Sequence, residues 1–284
     1  MSNPRSNLIQ PQELYEHLHD PDLRLVDTRF SLQDKGYGYR VYAEAHLPGA
    51  VYLDIAQDLS SRPGRHGGRH PLPDPERLAE TLGRIGISDG SQVVVYDDAG
   101  GMFAGRLWWL LRWIGHSQVR VLDGGYPAWV AAGYPVSEQM PAPPQRPFLI
   151  QLQPELLVSM EEVRARLHRP GVALIDARSS ERYRGEHEPL DPRAGHIPGA
   201  INRPFSDNLH QGRFKPAAQL KQELQALGLD SASDVIVYCG SGVTACHDLI
   251  ALEEAGYHGA RLYAGAWSDW CSYSENEVAI GAPA

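Results

Sequence analysis

Internal duplication constrains this chain more than any other feature. Leu25-Val-Asp-Thr-Arg29 returns as Leu174-Ile-Asp-Ala-Arg178, and Ala45-His-Leu-Pro-Gly-Ala50 as Gly195-His-Ile-Pro-Gly-Ala200. Val93-Val-Val-Tyr-Asp97 returns as Val235-Ile-Val-Tyr-Cys239, and Gly124-Gly-Tyr-Pro-Ala-Trp129 as Gly265-Ala-Trp-Ser-Asp-Trp270. The second copies keep the order of the first and follow 141 to 150 residues later, so one structural plan is used twice.

In each copy an opening helix (11–18; 160–167) precedes a strand ending in Asp-x-Arg. A loop then leads through His-x-Pro-Gly-Ala into a short strand. A second helix (75–82; 217–227) precedes a β-branched strand ending at Asp97 or Cys239. Another helix (104–114; 243–255), a strand (119–122; 260–263) and a tryptophan-bearing helix start close the copy. Apolar strands alternating with helices predict an α/β fold, two tandem domains each built on a parallel sheet with helices on both faces. The 284 residues suffice for two such domains. Six prolines between Pro135 and Pro154 mark an extended linker, dividing the chain into domains 1–144 and 145–284. Trp108, Trp109, Trp113 and Trp129 are expected in the first domain's core.

The copies diverge at one decisive place. Cys239 ends its strand, is followed by Gly240-Ser-Gly-Val-Thr244, and precedes a helix. Gly240 and Gly242 let the backbone curl so that successive N–H groups converge, a setting that favours a thiolate or any anion built on it. The alternative, a small buried packing cysteine, does not need two glycines in the next three positions. At the matching tip the first copy has Asp97, which cannot act as a soft nucleophile. The first domain is therefore expected to be non-catalytic and the second catalytic, with its active groups beyond the carboxyl ends of the strands.

Net charge of −9 argues against nucleic acid as the main partner, and no apolar run is long enough to span a membrane. The start shows no signal-peptide core. Three cysteines do not make a disulfide framework, so a cytoplasmic protein is expected.

With these residues in place, the chain resembles the tandem-domain rhodanese family of sulfurtransferases over nearly its whole length. The Cys239-Gly-Ser-Gly-Val-Thr244 loop is similar to the branch that takes sulfur from 3-mercaptopyruvate, whereas thiosulfate users generally carry basic residues after the cysteine. The resemblance implies a relay in which Cys239 takes sulfur from a small-molecule donor as a persulfide and passes it to cyanide or a thiol, thioredoxin being one candidate acceptor. It implies donor binding by the loop residues Gly240, Ser241, Gly242, Val243 and Thr244. It also implies that Arg182, six residues beyond Asp176, holds the donor carboxylate, with Arg193 as a second arginine. A serine-protease-like assistance, described for this branch, would map to Ser241 and His46; His46 and its twin His196 also have a structural reading, in tight turns. Asp176 and Arg178 are expected to brace the loop. Cys246 is expected to pack inside the helix, with a resolving role as its alternative; Cys271 is expected in or near the core.

No cofactor is implied. His66 and His70, in Arg65-His-Gly-Gly-Arg-His70, lack a third metal ligand at matching spacing, and this loop is expected to be solvated. Thiosulfate:cyanide transfer and non-enzymatic persulfide carriage are the alternatives. Phosphatases on the same scaffold use a Cys-x5-Arg loop, and Ala245 stands where their arginine would be. A monomer is the default.

Overall fold

The computed structural model describes residues 6–230 and 232–282; the opening stretch Met1–Arg5 lies outside them. The chain divides into two compact units. The first comprises residues up to Ser61, Pro73–Gln153 and Gln211–Phe214; the second comprises Arg62–Leu72, Pro154–His210 and Lys215 onward. The changeover thus falls at Gln153/Pro154, past the expected 144/145 division. The reason is backbone pairing: the N–H groups of Arg146, Gln151 and Gln153 donate to the carbonyls of Gly83, Ile114 and Trp113, which ties the end of the proline-rich stretch to the first unit. The units also exchange segments, and Arg62–Leu72, from the first half of the sequence, belongs to the second unit.

In the first unit, Leu23–Asp27, Gln92–Tyr96 and Val119–Leu122 form the middle of a parallel sheet, edged by Leu8–Ile9 and Val51–Tyr52. In the second unit, Asp234–Tyr238 lies between Val172–Asp176 and Arg261–Leu262, with Ile201–Asn202 beyond Val172–Asp176. All these pairs are parallel and helices flank both sheets. The central strands are buried along nearly their whole length, which explains their continuous β-branched composition. The tryptophans expected in the first core are buried there.

The duplication extends to single hydrogen bonds. Arg29 pairs with Asp27 and donates to the Ala45 carbonyl; Arg178 pairs with Asp176 and donates to the Gly195 carbonyl, at 2.6 to 2.7 Å in each case. His46 stacks on Tyr42 and bonds its carbonyl through Nδ1 at 2.7 Å; His196 does the same with Tyr183 at 2.8 Å. The Tyr96 and Tyr238 hydroxyls each accept the next residue's N–H, from Leu47 and Ile197. These networks fix the loops at the carboxyl ends of both sheets. Two short helices, Tyr37–Glu44 and Ser180–Tyr183, carry the His-stacking tyrosines and were not evident from the apolar spacing.

Candidate active site

Cys239 sits at the carboxyl end of Asp234–Tyr238, the central strand of its sheet. Its Sγ accepts the Gly242 N–H at 3.1 Å, and its side chain is almost wholly buried. The loop is pinned from behind, because the Trp267 and Ser268 N–H groups donate to the carbonyls of Cys239 and Gly240. Gly242 has a φ of +74°, and a Cβ there would overlap the Ala264 carbonyl, so only glycine lets the loop turn back toward the sulfur. The following helix begins at Ala245, two residues later than the apolar spacing predicts, leaving Val243 and Thr244 in the turn.

Asp97, at the same point in the first unit, displays how this loop surrounds an acceptor. Its buried carboxylate accepts four backbone N–H groups, from Ala99, Gly101, Phe103 and Ala104, at 2.7 to 2.9 Å. Burial pushes this carboxyl up, and the four donors work in the opposite direction. One copy of the loop therefore encloses a carboxyl group of its own. The other presents its curl to a thiol.

Ser241 Oγ lies 2.8 Å from Nδ1 of His70. This corrects two expectations. His46 spends Nδ1 on the Tyr42 carbonyl and Nε2 on the Gln139 carbonyl, so it is held as a structural histidine like its twin. The Arg65–His70 stretch is docked rather than solvated: the Gly67 N–H donates to Asp269 and the Arg69 N–H to Ser268 Oγ, and His66 stacks on Tyr273 at 4.0 Å while bonding Ser272. A Cβ on Gly68, whose φ is +84°, would overlap the Gly265 carbonyl. The visible clue was Gly67-Gly68, a pair that permits close backbone approach; its partner, some 200 residues away in sequence, could not be inferred from local pattern.

Arg182 faces Gly240, where an added Cβ would stand 3.1 Å from its Nη1. Arg69 approaches from the docked segment, its Nη2 at 2.9 Å from the same point. Glu188 and Asp191 hold the pair: Arg182 donates to Glu188 at 2.8 Å and to Asp191 at 3.1 Å, and Arg69 forms an ion pair with the other Asp191 oxygen. Arg193 is turned elsewhere, its guanidinium donating to the Tyr273 and Asn276 carbonyls. The second arginine beside Gly240 is thus Arg69, which sequence reasoning missed. Arg178 bonds Asp176, Glu188 and the Gly195 carbonyl and lies over the Trp267 ring, with no direct bond to the Cys239–Thr244 loop among these contacts. Burial opposes its charge, but Asp176, together with Tyr238 and Glu188, outweighs burial and holds its pKa above that of an ordinary arginine.

Cys246 is fully buried, its thiol donating to the Gly242 carbonyl at 3.4 Å, and Cys271 is buried as well. No group of three or more His, Cys, Asp or Glu residues able to hold a metal occurs among the described residues. Chemically, the arrangement offers a sulfur that accepts a backbone N–H, a hydroxyl–imidazole pair able to move a proton, and guanidinium groups able to hold an anion.

A profile of the rhodanese-like domain matches residues 10–132 and again 159–273. A protein of Pseudomonas aeruginosa described as a probable 3-mercaptopyruvate sulfurtransferase is 50% identical over 97% of this chain and 99% of its own length. SseB of Mycobacterium tuberculosis, described as a putative thiosulfate sulfurtransferase, is 40% identical over 92% of each chain. The crystal structure of SseA from Escherichia coli, a 3-mercaptopyruvate sulfotransferase, superposes with a TM-score of 0.84 at 32% identity, covering 93% of this chain and all of that one.

Proposed function

The chain belongs to the rhodanese family and is a sulfurtransferase, and from that premise we propose that 3-mercaptopyruvate is its donor and Cys239 the residue that carries the sulfur. The observation that carries the reading is the Cys239 loop itself, whose sulfur already accepts a backbone N–H while Ser241 and Arg182 flank it. Cys239 attacks the donor sulfur as thiolate. The carbon–sulfur bond breaks, its electron pair leaves on the pyruvate enolate, and a persulfide remains on the enzyme. The Ser241–His70 pair delivers the proton that converts the enolate to pyruvate. Loop N–H groups stabilise the thiolate before transfer and the persulfide after it. Arg182 orients the donor carboxylate. An acceptor thiolate or cyanide then takes the outer sulfur and regenerates the Cys239 thiolate; a protein thiol such as thioredoxin has the required chemistry.

In this scheme the first domain supplies no reacting group from its own strand tip. The chain works as a monomer in the cytoplasm, where reduced thiols are at hand. Among the described residues no helix is long and apolar enough to cross a membrane.

A second donor, thiosulfate, is favoured by one observation: two arginines, not one, lie beside Gly240. Steady-state assays with each donor and cyanide as acceptor separate the readings. A kcat/KM favouring mercaptopyruvate is expected, with all transfer lost in Cys239→Ser. A preference for thiosulfate would overturn the donor assignment, and turnover by the serine variant would overturn the mechanism.

A further inference from the structure

Arg69 and Arg182 would suit a dianion, yet the groups beneath them cancel their charge. Asp191 is bonded to both arginines, one carboxylate oxygen to each, and its side chain is only 2% exposed. Glu188, 3% exposed, accepts from Arg182 and from Arg178, which also pairs with Asp176. The cluster therefore contains three guanidinium groups and three carboxylates. It is layered: Arg69 and Arg182 keep 27% and 17% of their side-chain exposure and stand against Gly240, while the acids are buried behind them. An incoming anion meets directional N–H donors backed by fixed negative charge. A singly charged carboxylate gains the hydrogen bonds at little repulsive cost. The second charge of a dianion meets the repulsion of the buried Asp191 carboxylate.

We infer that Asp191 sets donor choice, neutralising the Arg69–Arg182 pair so that the site accepts a monoanionic donor over a dianionic one, and that Arg69 belongs to the donor site through this shared carboxylate. The inference rests on the sulfurtransferase reading and adds a charge-based selection outside the Cys239–Thr244 loop. The arrangement depends on the docked Arg62–Leu72 segment, since Arg69 reaches Asp191 only from there.

The test compares two variants of the full chain by the ratio of kcat/KM for thiosulfate to that for mercaptopyruvate. Asp191→Asn keeps shape and removes one negative charge; the ratio is expected to rise about tenfold, the effect of one unit charge near a partly solvated site. Arg69→Gln removes one positive charge and is expected to move the ratio the other way. General damage to the site would lower both donors together and leave the ratio where it was. Opposite shifts are thus the required result; any other pattern, including a ratio within about twofold of wild type in Asp191→Asn, overturns the inference. Should wild type turn over neither donor, the sulfurtransferase reading falls separately. Protection of Cys239 from iodoacetamide by sulfate, relative to pyruvate, then makes the same comparison without turnover. Stronger relative protection by sulfate in Asp191→Asn supports the inference, and unchanged relative protection overturns it.

Discussion

Ser241 and His70 pose the sharpest question at the scale of single residues. Their 2.8 Å contact joins a loop hydroxyl to an imidazole that arrives from the other half of the sequence. If the pair delivers the proton to the leaving enolate, His70→Ala should lower kcat/KM for mercaptopyruvate by about a hundredfold and flatten its pH profile on the imidazole limb. Loss of docking alone predicts a smaller fall with the profile's shape retained, and that result would demote His70 to a positioning residue. Cys239 was recognisable in the sequence because its chemistry is local: a strand tip, two glycines, a helix start. Ser241 was visible for the same reason. His70, Arg69 and Asp191 were not, because their roles come from contacts more than a hundred residues apart in sequence. Local pattern contains no trace of such pairings. Arg193 failed for a related reason: the short loop before Gly195 turns its guanidinium to the Tyr273 and Asn276 carbonyls.

Among the elements, the helix Ala245–Glu254 both ends the Cys239 loop and carries an unusual burden. Asp248 is buried within it, its Oδ1 accepting from Asn208 at 2.5 Å, its Oδ2 without a hydrogen-bond partner among the described residues. Burial pushes this carboxyl up to about 8, against the attraction of Arg203 and with added repulsion from Asp207 and Asp176; His247, beside it on the helix, shares the Asn208 amide. The folded chain thus holds this proton more tightly than the unfolded chain does. The stabilisation is full below the ordinary carboxylate range and is lost as pH rises toward and through about 8. Asp248→Asn removes that loss, so the Tm difference between variant and wild type should grow in the variant's favour as pH rises from acid to mildly alkaline. A difference independent of pH would show that Asp248 is ionised throughout. The helix itself was legible from Leu249, Ile250, Leu252 and Ala255, all of which are buried. Its start was misplaced because Gly242 takes the left-handed conformation and delays the first turn.

For the whole molecule, duplication gives two scaffolds and, in the proposed mechanism, one sulfur that reacts, and the stoichiometry of loading follows from the details of each. The first copy's loop is already occupied by the Asp97 carboxylate and its four N–H donors. Tyr42 is the counterpart of Tyr183, so Val41 stands where the second copy has Arg182, and the first copy lacks an arginine at the position proposed to hold the donor. Of the three thiols, Cys246 is fully buried and engaged with the Gly242 carbonyl, and burial pushes the Cys271 thiol up to about 11, leaving it almost wholly protonated near neutral pH. Cys239 sits at a strand tip and accepts the Gly242 N–H on its sulfur. Incubation with excess mercaptopyruvate and no acceptor should therefore add one sulfur per chain, and peptide mass mapping should find it on Cys239. Asp97→Cys should add no second sulfur: it strands four backbone donors, destabilising the first unit by about 3 kcal/mol or more, and creates a thiol with no arginine beside it. A second sulfur on Cys246 or Cys271 would mean that sulfane sulfur moves within the chain. A second sulfur at position 97 in that variant would mean that the loop alone, without Arg182 or the Ser241–His70 pair, is enough for transfer.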